Sequence, residues 1–222
     1  MPNSLATLRL LQLCSSNLPV GGYSFSQGLE YALEQGWLKT TNDVAEWVEV
    51  IINESLAQQD LPLLLRLKQA YATDDKQAFE TWRDFLLATR ESAEMLQAEV
   101  VMGQAMYRLL NSLEIETQGY RGEQLSYIAG FAIAAQHWGL SDNEALQGYL
   151  WTWLENQVAA AIKLLPMGQT DGQKMLLKQS EKIPHAVSRA LAMTDDNIGA
   201  NLPGLAMASA WHETQYSRLF RS

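Results

Sequence analysis

Thr41-Asn-Asp-Val-Ala-Glu-Trp-Val-Glu-Val-Ile-Ile-Asn-Glu-Ser-Leu56 decides the fold class of this chain. Val44, Trp47, Val48, Ile51, Ile52 and Leu56 follow one another so as to line one face of a helix. Strand alternation would scatter the same residues over both faces of a sheet. Thr41 or Asn42 is the expected N-cap.

The same period extends in both directions. Upstream, Ser4 to Cys14 predicts a short leucine-rich helix with a wide apolar face. Ser15 to Gly22 is rich in helix breakers, and Ser24 is placed to cap a helix running to Gln35, stopped by Gly36. Downstream, Asp60 with Pro62 starts a helix that ends near Thr73-Asp74. Phe79, Trp82, Phe85 and Leu86 mark the next, and Thr89 to Leu113 predicts a long one. Gln118 to Gly122 is a linker, followed by a helix over about Glu123 to His137 whose Ala129, Gly130, Ala132, Ala134 and Ala135 let a neighbour approach closely. Ser141 with Glu144 forms a capping box for a helix that runs to Pro166. Helices over about Gln173–Ser180, Ala186–Met193 and Pro203–His212 complete the pattern, with a turn at Asp195 to Gly199. No convincing strand is found, so the expected fold is all-α: one irregular bundle of about ten helices spanning 1–222.

Composition narrows the function. Sixteen Lys and Arg against 25 Asp and Glu give a formal charge of −9, which repels nucleic acid and anionic lipid. Apolar residues reach 47% while charged ones are only 18%, a surface suited to oligomers or multi-protein complexes. One cysteine, Cys14, rules out an internal disulfide and suits a reducing cytoplasm. No apolar run approaches the length of a membrane span, and the N-terminus lacks the marks of a signal peptide.

Catalytic chemistry is not legible. His137, His185 and His212 have no second His or Cys within a helical turn, so no metal cage is expected. His212-Glu213 begins like a zinc-protease helix, but position 216 is Tyr. Gly168-Gln-Thr-Asp-Gly-Gln-Lys174 has the wrong spacing for a phosphate loop, and Met175 follows the lysine. That argues against the alternative of a helical nucleotide-dependent hydrolase acting directly on GTP. Cys14 sits among leucines as a buried thiol, and Glu91 with Glu94 or Asp195 with Asp196 are read as caps or a solvated face. With no catalytic residues to name, a binding role is favoured.

The end of the chain carries that role. His212-Glu-Thr-Gln-Tyr-Ser-Arg-Leu-Phe-Arg-Ser222 closes on aromatic, aliphatic and guanidinium groups and contains no lysine. Tyr and Arg are enriched where proteins meet and Lys is depleted there. Two readings compete: a segment folded back to plug its own core, or an anchor that orders on a partner. The anchor, residues 213–222, is preferred, with Tyr216, Arg218, Leu219, Phe220, Arg221 and Ser222 as its contacts.

Four segments together resemble one family. They are Leu10 to Glu30, with its Leu-Pro-Val-Gly-Gly-Tyr-Ser run; Thr89 to Glu94 with Met102-Gly103; Tyr149 to Gln169; and Ala208 to Ser222. The chain resembles the urease accessory protein UreF family over nearly its whole length. It departs from the usual pattern at Ser92, Leu96-Gln97 and Gln136-His137. The resemblance implies a cytoplasmic, all-α helper without enzymatic activity, which forms homodimers and binds UreD (also called UreH). It implies recruitment and regulation of the GTPase UreG, with nickel passing through the complex to apo-urease and no cofactor held stably. It also implies that the tail docks on the UreD-like protein. Glu30 and Lys163 are further candidates for contacts that guide UreG or nickel.

Overall fold

The computed structural model of the chain describes residues 4–221. Helices supply all the regular structure among them: α1 Ser4–Leu13, α2 Leu29–Glu34, α3 Thr41–Ile51, α4 Asp60–Ala72, α5 Lys76–Ala88 and α6 Ala93–Ser112. They continue as α7 Tyr127–His137, α8 Asp142–Leu164, α9 Gln169–Ser180, α10 Ile183–Leu191 and α11 Pro203–His212. The all-α expectation holds, and the boundaries that moved did so for local reasons.

The Thr41 stripe is helical, but it changes pitch. After Ile51 the backbone winds through one π-helical stretch, Ile52–Leu56, which keeps Ile52 and Leu56 buried beside Val44, Val48 and Ile51. The cap is Thr40, one residue earlier than expected. Its hydroxyl accepts the Asp43 N–H, while the Asp43 carboxylate accepts the Lys39 and Thr40 N–H groups. The Ser141–Glu144 box is present at the start of α8 as expected.

Three predicted helices start later. Ser24 closes a short 3-10 turn instead of opening a helix, and left-handed backbone at Gln27 and Gly28 delays α2 to Leu29. The long helix begins at Ala93, because Ser92 is extended and caps it through the Met95 N–H. The run from Glu123 holds only a 3-10 turn, Gly122–Gln124, and Ser126 caps α7 through the Ala129 N–H. In each case a Ser side chain or left-handed backbone offers a competing local bond, and periodicity alone does not register that. Two helices start earlier than expected, α9 at Gln169 and α10 at Ile183, where Pro184 sits in the first turn.

The core centres on α7, whose residues Tyr127 to Ala135 are all buried, and which packs on α4 and α6. Close approach is required here. A Cβ on Gly103 of α6 would lie 2.1 Å from the Leu125 carbonyl oxygen, and one on Gly130 of α7 would lie 2.5 Å from Met106 Cγ. The long α8 runs along this core and also contacts α1, α2, α9 and α10. Its last turn carries Lys163, whose ammonium lies over the Phe220 ring of the tail.

Candidate partner-docking site

α11 ends on His212, which is completely buried. Its Nδ1 faces the Glu94 carboxylate at 2.9 and 3.1 Å, and its Nε2 faces Glu30 Oε2 at 3.0 Å. Both glutamates lie in the first turn of their helices, α2 and α6, where exposed backbone N–H groups favour negative charge. Gly28, left-handed and 3.1 Å from Ala208 for an added Cβ, lets α2 and α11 come this close.

From that pair of carboxylates the tail is drawn back onto the body. The Leu219 and Phe220 N–H groups donate to the two Glu30 oxygens at 2.6 and 3.0 Å. Arg218 Nη1 donates to Glu94 Oε1 at 3.0 Å, and the Arg221 N–H donates to the Ser24 carbonyl at 2.8 Å. Gln215 Nε2 donates to the Glu34 carboxylate. Glu213 turns the other way and accepts the Ala93 N–H at 3.0 Å, so the start of the tail also caps α6. Burial pushes the Glu94 carboxyl above its ordinary range, against the opposing pull of His212 and Arg218.

This arrangement divides the tail. Phe220 is buried, with the Lys163 ammonium 5.3 Å from its ring centroid, a cation–π distance. Tyr216 is fully exposed, and Leu219 and Arg221 are exposed too, whereas the guanidinium of Arg218 turns in to Glu94. Ser222 lies outside the described residues. Glu30 and Lys163, the further contact candidates, lie against the chain's own tail. Phe220 is thus folded back onto the body, whereas Tyr216 and Leu219 face solvent.

Several residues of this surface were missed in the sequence. Tyr31, Trp37 and Trp211 form a triangle of rings with every pair of centroids 5.8 Å apart, and both tryptophans are exposed. Tyr216 borders the same surface depression as Tyr31 and Trp211. The sequence reads Glu94 as a cap or a solvated carboxylate, and His212 as the start of an incomplete zinc motif. Their signal was a His within one turn of an aromatic tail, which is legible only when the fold supplies its carboxylates. Among the described residues, no cluster of His, Cys, Asp and Glu is arranged to hold a metal ion.

A second exposed surface lies on α1. Ala6 and Leu13 face the core, but Leu5, Leu8 and Leu11 are 54%, 61% and 64% exposed. Leu11 also lines an apolar groove with Leu10, Cys14, Trp151, Ile183 and Pro184, which has no charged side chain in its lining. Among the described residues, no helix is long and apolar enough to cross a membrane.

Comparison with known proteins is consistent along the chain. A family model described as UreF matches residues 38–180. The urease accessory protein UreF of Marinomonas sp. (strain MWYL1) is 47% identical over 215 residues, 97% of this chain and 94% of that protein. The proteins of the same name from Alkalilimnicola ehrlichii (44% over 98% of this chain and 96% of that protein) and Alcanivorax borkumensis (42% over 99% and 100%) match equally fully.

Proposed function

We propose, from the premise that the chain belongs to the UreF family of urease accessory proteins, that it acts by docking proteins together during nickel insertion into urease. The family is named for an accessory role, not for an enzyme. In this reading the tail surface binds a UreD/UreH-like protein, and the resulting complex recruits the GTPase UreG and regulates its hydrolysis of GTP. Nickel is cargo that passes through the complex to apo-urease, and the protein itself holds no cofactor. The setting is the cytoplasm, which suits a single buried thiol.

The observation that carries this reading is the division of the tail. Glu30 accepts the Leu219 and Phe220 N–H groups and Glu94 accepts the Arg218 guanidinium, so the tail is already folded, with Tyr216 beside Trp211 and Leu219 facing solvent, and less ordering cost remains on binding. Exposed aromatics on a rigid support are what interface hot spots consist of. Tyr216→Ala and Leu219→Ser change exposed side chains and keep the backbone bonds to Glu30. Each is expected to weaken co-purification with a UreD-like protein at least tenfold with an unchanged melting temperature. Full binding by both variants would remove the tail surface from the interface.

Self-association belongs to the same proposal. Two copies that each carry −9 repel unless they meet on a charge-poor face, and the α1 leucine face is one. In a two-fold pair, the Leu5–Leu8–Leu11 ridge of each copy would fill the other's groove. Sedimentation velocity should show a dimer for the wild type and a monomer for Leu8→Glu. A dimeric Leu8→Glu protein would place the contact elsewhere, and a monomeric wild type would end the dimer reading.

A further inference from the structure

Away from the tail and from α1, a cavity of about 60 Å³ lies among α4, α6, α7 and α8, bordered by Asp60, Arg90, Glu99, Tyr127 and Gln157. These side chains are buried, and a partial network joins them. Arg90 donates through Nη1 and Nη2 to Asp60 at 2.8 and 3.3 Å, and through Nη2 to Glu99 Oε2 at 3.0 Å. The other Glu99 oxygen accepts the Ile128 N–H at 2.8 Å, and Tyr149 OH donates to Asp60 at 3.2 Å. Gln157 Nε2 donates to the Ser26 carbonyl at 3.4 Å.

Three polar atoms of this group have no protein partner: Arg90 Nε, Tyr127 OH and Gln157 Oε1. Leaving a buried polar atom unpaired costs about 1–3 kcal/mol, so three around one cavity point to a ligand there. Its chemistry follows from what they require. Arg90 Nε needs an acceptor, which a metal cation does not provide. Gln157 Oε1 needs a donor, and the Asp60 and Glu99 carboxylates repel an anion. Water both donates and accepts.

We infer that this cavity is a binding site for a small cluster of water molecules that completes the bonding of Arg90, Tyr127 and Gln157 and ties the loop before α6 to α7 and α8. At roughly 15–30 Å³ per molecule the cavity holds about two to four of them. Burial pushes the Glu99 carboxyl above its ordinary range despite Arg90, which fits a polar centre kept out of bulk solvent. The site also reaches the tail. Gln157 grips the Ser26 carbonyl, and the Ser26 hydroxyl accepts the N–H of Glu30 at 3.5 Å.

Oxygen-17 relaxation dispersion on the full chain counts long-lived internal waters. At least two are expected in the wild type, with at least one lost in Tyr127→Phe and in Gln157→Met. Circular dichroism checks that each variant folds, and Tyr127→Phe, which removes only a hydroxyl, carries the test if Gln157→Met does not fold. Unchanged water counts would overturn the inference. So would a crystal soaked in nickel that shows an anomalous peak in the cavity with ligand distances of about 2 Å.

Discussion

Glu30 and Phe220 are 190 positions apart in the chain, and the Phe220 N–H donates to the Glu30 carboxylate at 3.0 Å. Together with the adjacent Leu219 N–H, this makes one buried carboxylate the receptor for two successive backbone donors. Glu30→Gln keeps the shape but puts an amide NH2 where only acceptors fit. A loss of about 1–3 kcal/mol is expected in the hold on the tail. Hydrogen exchange over 213–221 should accelerate while that of α7 stays slow. Equal exchange in both proteins would mean that Glu30 does not hold the tail.

Phe220→Ala tests the other half of the latch. Burying a Phe side chain is worth about 1.5–3 kcal/mol, and here the ring also meets Lys163. The variant should show faster cleavage of the tail by a carboxypeptidase. Tyr216→Ala, which removes a side chain in solvent, should not.

Gly103 and Gly130 sit in the same helix contact but should respond differently to an added methyl. At Gly103 the obstacle is backbone, the Leu125 carbonyl at 2.1 Å, whereas at Gly130 it is the Met106 side chain. Gly103→Ala is expected to cost about 3 kcal/mol, or roughly 6–12 °C in melting temperature. Gly130→Ala should cost clearly less, since Met106 has other rotamers. Thermal melts followed by circular dichroism rank the two.

Acid stability carries opposing contributions. Hydrogen bonds from the Lys39 and Thr40 N–H groups hold Asp43 below its usual value of 3.8. Its contribution is therefore present above 3.8 and lost as pH falls through the lower folded value. Burial raises Glu94 and Glu99 above 4.5, so theirs is fully present below 4.5 and lost as pH rises through the raised values. Melting temperatures measured down to pH 2 should fall less steeply below about pH 4 for Asp43→Asn than for the wild type. Parallel curves would leave the cap without a measurable role.

Cys14 should be chemically quiet. Burial pushes its thiol up to about 11, and Sγ donates to the Gly148 carbonyl. At pH 8 only roughly one molecule in a thousand then carries a thiolate. Iodoacetamide should label the native protein far more slowly than the urea-unfolded one, and similar rates would mean that the thiol is accessible.

Stripes with helical period were legible because they depend only on neighbours one turn apart. Val44 to Leu56, the Ser141–Glu144 box and the small residues of α7 all lie where the pattern puts them. Helix starts were less legible at Ser24, Thr89 and Glu123, where the chain first makes a capping bond or a left-handed turn. The tail was singled out by its composition, but which of its residues face inward was not.

What the sequence by itself determined is the all-helical class, the apolar faces and the kinship with urease accessory proteins, since local period and ordered segments are properties of the chain as written. Only the tertiary structure decided how the tail is used. Glu94 and Glu30 precede His212 by 118 and 182 positions, and none of the three marks a site alone. A buried charge is tolerated only where the fold brings it a partner. That requirement draws residues 218–220 inward, buries Phe220 and leaves Tyr216 facing solvent.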